Sequence, residues 1–147
     1  MFKRTLSTVV MLVMFYCVGI QAEDKTREAD HKALRALKDK VITALNTRDM
    51  ELLNSCFASK FAFTSVNQIT LTSPGQVDEF FQKTFDGPDS MLASMKCKPE
   101  ADILTRFIDA NTGYCYGSNE ETYKLKDGRE VVQHARWTAV VVKEDGK

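Results

Sequence analysis

No stretch of this chain carries a ready-made reactive centre. It has no H-E-x-x-H, no cysteine pair at zinc-ligand spacing, no glycine-rich phosphate loop and no serine in a Ser-His-Asp context. Metalloenzyme, nucleotide-dependent and triad-hydrolase chemistries lose their usual sequence support together. Net charge is missing too. Twenty Lys and Arg balance twenty Asp and Glu, so nothing electrostatic draws the chain to nucleic acid or anionic lipid. Repeats, low-complexity tracts and interdomain linkers are absent, and 147 residues suit one domain with its own core.

The apolar run from Val9 to Val18 is shorter than the about 20 residues a membrane span needs. It follows Lys3 and Arg4 and ends in Gly19-Ile20-Gln21-Ala22 before Glu23, the layout of a secretory signal. The sequence therefore predicts cleavage after Ala22, residues 1–22 as signal peptide and a periplasmic or secreted protein with no membrane attachment after cleavage. Losing Lys3 and Arg4 leaves 18 basic against 20 acidic residues. Three cysteines remain, Cys56, Cys97 and Cys115. An odd number at wide spacing is no disulfide framework, and small buried hydrophobes are the expected role.

From about Thr26 to Asn46, Leu34, Leu37, Val41 and Leu45 recur at helical steps, with Lys32, Arg35, Lys38, Asp39 and Lys40 on the solvated faces. His31 is expected among those exposed charges. Asp49 can cap a second short helix reaching Ser55. Phe57 to Thr64 reads as extended, Asn67-Gln68 as a turn and Ile69 to Thr72 as a return strand. Ser73-Pro74 starts a third helix, to about Phe85, with a hydroxyl cap and proline at its first position. Strands follow at Met91 to Lys98 and Ile103 to Asp109, with Ala110 to Gly113 as a turn. Helices first and strands afterwards argue an α+β fold, about three N-terminal helices packed on a bent antiparallel sheet.

The end of the chain organises the rest. Two runs rich in aromatic and β-branched residues flank Asp127-Gly128, a strong hairpin signal. A two-residue loop there would pair Lys126 with Arg129. Glu121 would then face His134, Asn119 would face Arg136, and Gly117 would face Thr138, all on one side. Tyr114, Tyr116, Ser118, Trp137, Ala139 and Val141 would form an apolar strip on the other. Imidazole titrates near neutrality, so His134 with Glu121 is the candidate catalytic pair. Arg136, Asn119, Tyr123 and Thr138 are the candidate ligand-binding groups. The plain alternative is cross-strand charge pairing on a solvated or dimer-forming face. Asp102 and Asp109 are further pocket carboxylates that nothing in their spacing selects.

The pieces A-L-N-T-R-D-M-E-L-L, F-A-F-T, S-P-G-Q-V-D-E-F-F, Y-K-L-K-D-G-R-E and H-A-R-W-T-A-V-V-V-K-E-D-G-K resemble the SnoaL-like branch of the nuclear transport factor 2-like superfamily. The resemblance implies a cone-shaped fold over residues 23–147, in which a curved sheet wraps three helices around a pocket. It also implies homodimers formed across the sheet. Members include isomerases, dehydratases and non-catalytic binders, so fold alone does not choose. In the family, E-D-G-K is a turn followed by a tryptophan-led final strand. Lys147 falls inside that turn, so the resemblance implies a domain whose last strand is missing. Residues and resemblance together predict a pocket for a small organic molecule, with no metal and no cofactor. A binding module stands ahead of a cofactor-independent isomerase or dehydratase that uses His134 and a pocket carboxylate.

Overall fold

A computed structural model describes residues 27–146. The predicted signal segment therefore lies outside the described residues. The chain divides into two compact units, Met1–Leu34 and Arg35–Lys147.

In the first unit the described residues form the beginning of helix α1, Glu28–Thr47. Arg27 and Asp30 make an ion pair of 3.2 Å. His31, expected in solvent, is buried. It stands three residues before Leu34 and so extends the apolar stripe by one turn instead of joining the charged faces.

The second unit contains the rest of α1, α2 (Met50–Asn54), α3 (Pro74–Asp86) and strands β1 (Phe63–Thr64), β2 (Thr70–Leu71), β3 (Leu92–Ala101), β4 (Arg106–Phe107), β5 (Thr112–Leu125) and β6 (Glu130–Val142). This is the expected α+β class. α1 ends in a tight reversal: Asp49 N–H donates to Ala44 O at 2.9 Å and Arg48 N–H to Leu45 O at 3.4 Å. That pattern needs a left-handed residue at position 48, and Arg48 has φ 57°. The Arg48 side chain lies 5.2 Å from the Phe85 ring centre and pairs with Asp86, which holds the bend against α3. Asp49 then caps α2 by accepting from Leu52 N–H at 2.9 Å, and Ser73 caps α3 with Pro74 behind it. Ala44, Leu53, Leu71, Val77, Phe81 and Phe85 form the core, each large side chain contributing about 1.5–3 kcal/mol by leaving water.

Three extended segments are shorter than expected. Phe57 to Ala62 is not strand: turns continue from α2 through Cys56 N–H to Leu53 O and Phe57 N–H to Asn54 O, and Phe57 stacks on Phe61 at 4.1 Å. Only Phe63–Thr64 pairs with Thr70–Leu71, as a separate two-stranded sheet. Of Ile103 to Asp109, only Arg106–Phe107 pairs. By contrast β3 runs past Pro99 to Ala101. Proline is tolerated there because β3 is a sheet edge. Cys97 N–H points away from β5 to Asn46 Oδ1 on α1, at 2.8 Å, and two residues on the Pro99 nitrogen points the same way, where no ladder bond is lost.

The main sheet has β5 at its centre, β3 and β4 along one side and β6 along the other. Among the described residues the outer edge of β6 has no partner strand. The register of the β5–β6 hairpin corrects the sequence reading by one residue. Leu125 N–H donates to Arg129 O at 2.8 Å and Gly128 N–H to Leu125 O at 3.0 Å, so the loop is Lys126-Asp127-Gly128. Gly128 takes the left-handed conformation, φ 91°, that a three-residue loop places last. Glu121 therefore faces Gln133, His134 faces Glu120, and Arg136 faces Ser118. A slip of one moves every side chain of a strand to the other face.

Candidate functional site

The two sheet faces follow from this register. One carries Cys97, Asn119, Glu121, Tyr123, Ala135 and Trp137; the other carries Lys96, Lys98, Glu120, His134, Arg136 and Thr138. Met95, opposite Tyr123, packs on the core below the helices, so the first face is the inner one. Burial agrees: Gly113, Gly117, Glu121 and Cys97 are buried, whereas His134, Arg136 and Thr138 are exposed. Asn119, Glu121 and Tyr123 are thus brought together, and His134, Arg136 and Thr138 are placed across the sheet from them. Tyr114 and Tyr116 lie on the outer face, while Trp137 is on the inner one, so the expected aromatic strip is divided.

Trp137 fits there because its partner is Gly117. A Cβ on Gly117 would come within 2.7 Å of Trp137 Cζ2 and 1.9 Å of Glu100 O, and the indole N–H donates to Ser118 O at 2.8 Å. A large ring packed over a bare backbone is a complementarity the polar pattern did not reveal.

Next to this wall sits a buried carboxylate. Glu121 is 8% exposed; it accepts from Asn119 Nδ2 at 2.7 Å on Oε1 and from the Tyr123 hydroxyl on Oε2. Cys97 stands directly opposite on β3. Its amide points outward to Asn46, so Cys97 and Glu121 form a close, non-hydrogen-bonded pair. Burial pushes the Cys97 thiol up to about 11, the Glu121 charge adds to this, and a hydrogen bond from Asn119 opposes it. Burial, then the bond to Glu121, raises the Tyr123 phenol as well. Both groups keep their protons at neutral pH. Glu121 is the one charged side chain among the inner-face positions of β3, β5 and β6. A charge buried on an apolar face is costly unless hydrogen-bonded, and here two donors come from the same strand, two residues either side. Cys97 and Asn46 were not singled out from sequence. No sequence signal marks Cys97, because its face is set by the pairing of β3 with β5.

The outer face has a different character. Arg136 pairs with Asp102 at 2.5 Å, and His134 lines a shallow cleft of about 130 Å³ with Lys98, Glu100, Ser118, Asn119 and Glu120. Asp109 is occupied in its own turn, accepting from Asn111 and Thr112 N–H at 2.7 Å. An open groove of about 320 Å³ beside α3 is lined by Arg48, Met50, Asp78, Phe85 and Asp86 among others; its cation Arg48 is already engaged by Asp86 and Phe85. Neither hollow contains the buried carboxylate, and chemistry favours the inner face over both. Cys56, Cys97 and Cys115 are all free thiols. Among the described residues no cluster of His, Cys, Asp or Glu is arranged to hold a metal ion, and no helix is long and apolar enough to cross a membrane.

A family model described as a SnoaL-like domain matches residues 26–147. No curated protein matches the chain. Solved structures with the same fold include a type 2 hexachlorocyclohexane dehydrochlorinase (LinA), 17% identical, with a TM-score of 0.70 over 84% of this chain and 81% of that one. A putative scytalone dehydratase from Novosphingobium aromaticivorans is 13% identical, with a TM-score of 0.70 over 84% and 80% of the two chains. A nuclear transport factor 2-like superfamily protein from Salmonella enterica is 15% identical, with a TM-score of 0.63 over 78% and 80%.

Proposed function

The chain belongs to the SnoaL-like domain family, and from that premise we propose that it is an exported protein binding a small, partly apolar organic molecule on the inner face of its main sheet. Glu121, Asn119 and Tyr123 hold the polar end of the ligand, and Trp137 is its apolar wall. The observation that carries this reading is the buried Glu121 carboxylate, set with its two donors on an otherwise uncharged face. A polar group fixed in an apolar recess is the usual composition of a small-molecule site. His134, Arg136 and Thr138 lie outside it.

Native mass spectrometry of protein purified from the periplasm of a Gram-negative host, followed by amide chemical-shift mapping of any ligand found, tests the reading. Shifts at Glu121, Tyr123 and Trp137 support it; shifts confined to His134 and Arg136 overturn it. N-terminal sequencing of the same material tests export, with a start near Glu23 expected and an intact Met1 in the cytosol counting against it. Self-association belongs to the same proposal and uses the outer face, where Tyr114, Tyr116 and the exposed Val140 share a side. Sedimentation at micromolar concentration should show a dimer that Val140→Asp weakens.

The buried carboxylate also favours a second reading, a cofactor-independent dehydratase or isomerase in which Glu121 takes a proton from carbon. The names of the dehydrochlorinase and the putative dehydratase keep it in view. In this reading His134 is not the shuttle, because it faces away. Glu121→Gln should abolish any turnover found, whereas His134→Ala should leave it intact.

A further inference from the structure

We infer that the inner-face site selects ligands that present a hydrogen-bond donor, a hydroxyl or an ammonium group, and rejects carboxylates and other anions. The inference deepens the binding reading above and rests on it. It follows from counting protons and lone pairs around Glu121.

Asn119 spends one amide proton on Glu121 Oε1 and turns the other to the Cys97 sulfur, and Tyr123 spends its single hydroxyl proton on Oε2. Asn119 Oδ1 is buried and has no hydrogen-bond partner. Rotating the amide by half a turn would not relieve it, because the oxygen would then face the carboxylate, acceptor against acceptor. The amide is thus fixed with its oxygen unsatisfied. The unused capacity is a free Asn119 oxygen, the remaining lone pairs of the Tyr123 oxygen and those of Glu121. On these three residues all of it is acceptor capacity. The donors nearby are the Cys97 thiol, which donates weakly, and the amide of Gln133, which stands opposite Glu121 on β6 and is exposed to solvent.

The charge pattern points the same way. Lys96, Lys98, Lys124 and Arg136 all project to the outer face, so no cation from these strands offsets Glu121 on the inner one. A carboxylate ligand would meet a like charge and an unpaired oxygen, with no cation of these strands to offset them. A hydroxyl or ammonium group would satisfy Asn119 Oδ1 and reach toward Glu121. Leaving a buried acceptor unpaired is the costly state in any hydrogen-bonded site, so the ligand that pairs it gains most.

Three probes sharing one ring and differing at the polar end test this: 2-phenylethanol, 2-phenylethylamine and phenylacetate, titrated against the full chain with amide shifts as readout. The alcohol and the amine should shift Asn119, Glu121 and Tyr123 and bind at least about tenfold more tightly than phenylacetate, a difference of about 1.4 kcal/mol. An amine ahead of the alcohol identifies Glu121 as the main partner; parity identifies Asn119 Oδ1. In Glu121→Gln the amine should lose any lead and phenylacetate should gain. Phenylacetate binding the wild-type inner face as tightly as the alcohol overturns donor selection and leaves the binding reading standing. No inner-face shift with any of the three overturns both. The wild-type comparison decides even if the variant does not fold.

Discussion

The two faces of the β3–β5–β6 sheet treat their polar side chains in opposite ways. Outside, Lys96, Lys98, Glu100, Glu120, His134 and Arg136 share solvent and one another. The Arg136–Asp102 pair is short, yet its side chains remain 63% and 39% exposed, and solvent screening leaves such pairs little net worth. Inside, one carboxylate is buried with both oxygens bonded. The lesson is that polar groups gain meaning from what surrounds them. Five charges in water say less about function than one that has been removed from it.

The sharpest way to break this comparison is to place a valine on each face. Gly117→Val drives a side chain into Glu100 O and the Trp137 ring and should cost about 3 kcal/mol, roughly 10 °C in melting temperature. Thr138→Val on the outer face should stay within about 0.5 kcal/mol. Equal effects would mean that the faces are assigned wrongly. Next, Glu121→Ala leaves the Asn119 amide and the Tyr123 hydroxyl without their acceptor and should lose about 1–3 kcal/mol in urea unfolding. Its neighbour Glu120→Ala should lose almost nothing.

A pH series gives a smaller, directional effect. The Cys97 thiol is raised from its ordinary value near 9 to about 11. Between those values the unfolded chain has lost the proton and the folded one still holds it, so stability should fall as pH rises from about 9 to 11. Below pH 9 this contribution is fully present. Cys97→Ala should flatten the curve over that window; an unchanged slope would place the titration elsewhere. Smallest of all, His134→Ala and Arg136→Ala should each leave the melting temperature and inner-face ligand binding almost unchanged.

Much of the fold could be read from residue patterns alone. The stripe of Leu34, Leu37, Val41 and Leu45 and the Ser73-Pro74 start each have one dominant local solution, and each is found. The site was half legible. Asn119, Glu121 and Tyr123 alternate along one strand, so they share a face in any register. The partners across the hairpin depended on whether Asp127-Gly128 closes a two-residue loop or ends a three-residue one. Asp-Gly suits both, because glycine supplies the left-handed residue either way. What decides is packing: Trp137 needs a gap opposite it, and Gly117 is that gap. Pro99 looked like a strand end because its lack of an N–H matters only inside a sheet, and its edge position is a tertiary fact. Phe57 and Phe61, read as strand residues, instead stack on each other across a bend.

The three-residue loop also sets a clock. β5 and β6 meet through a turn that closes almost at once, whereas the Asn46–Cys97 bond joining α1 to the sheet edge spans 51 residues. Chain-closure entropy rises with the logarithm of loop length, which puts the second event roughly 2–3 kcal/mol behind the first. The hairpin should therefore assemble first and the helix dock afterwards. In pulse-labelled hydrogen exchange during refolding, the amides of Tyr123 and Val131 should be protected before that of Cys97. During that interval Glu121 and Trp137 are already in register and still open to water, so a ligand could first meet this face before the helix docks.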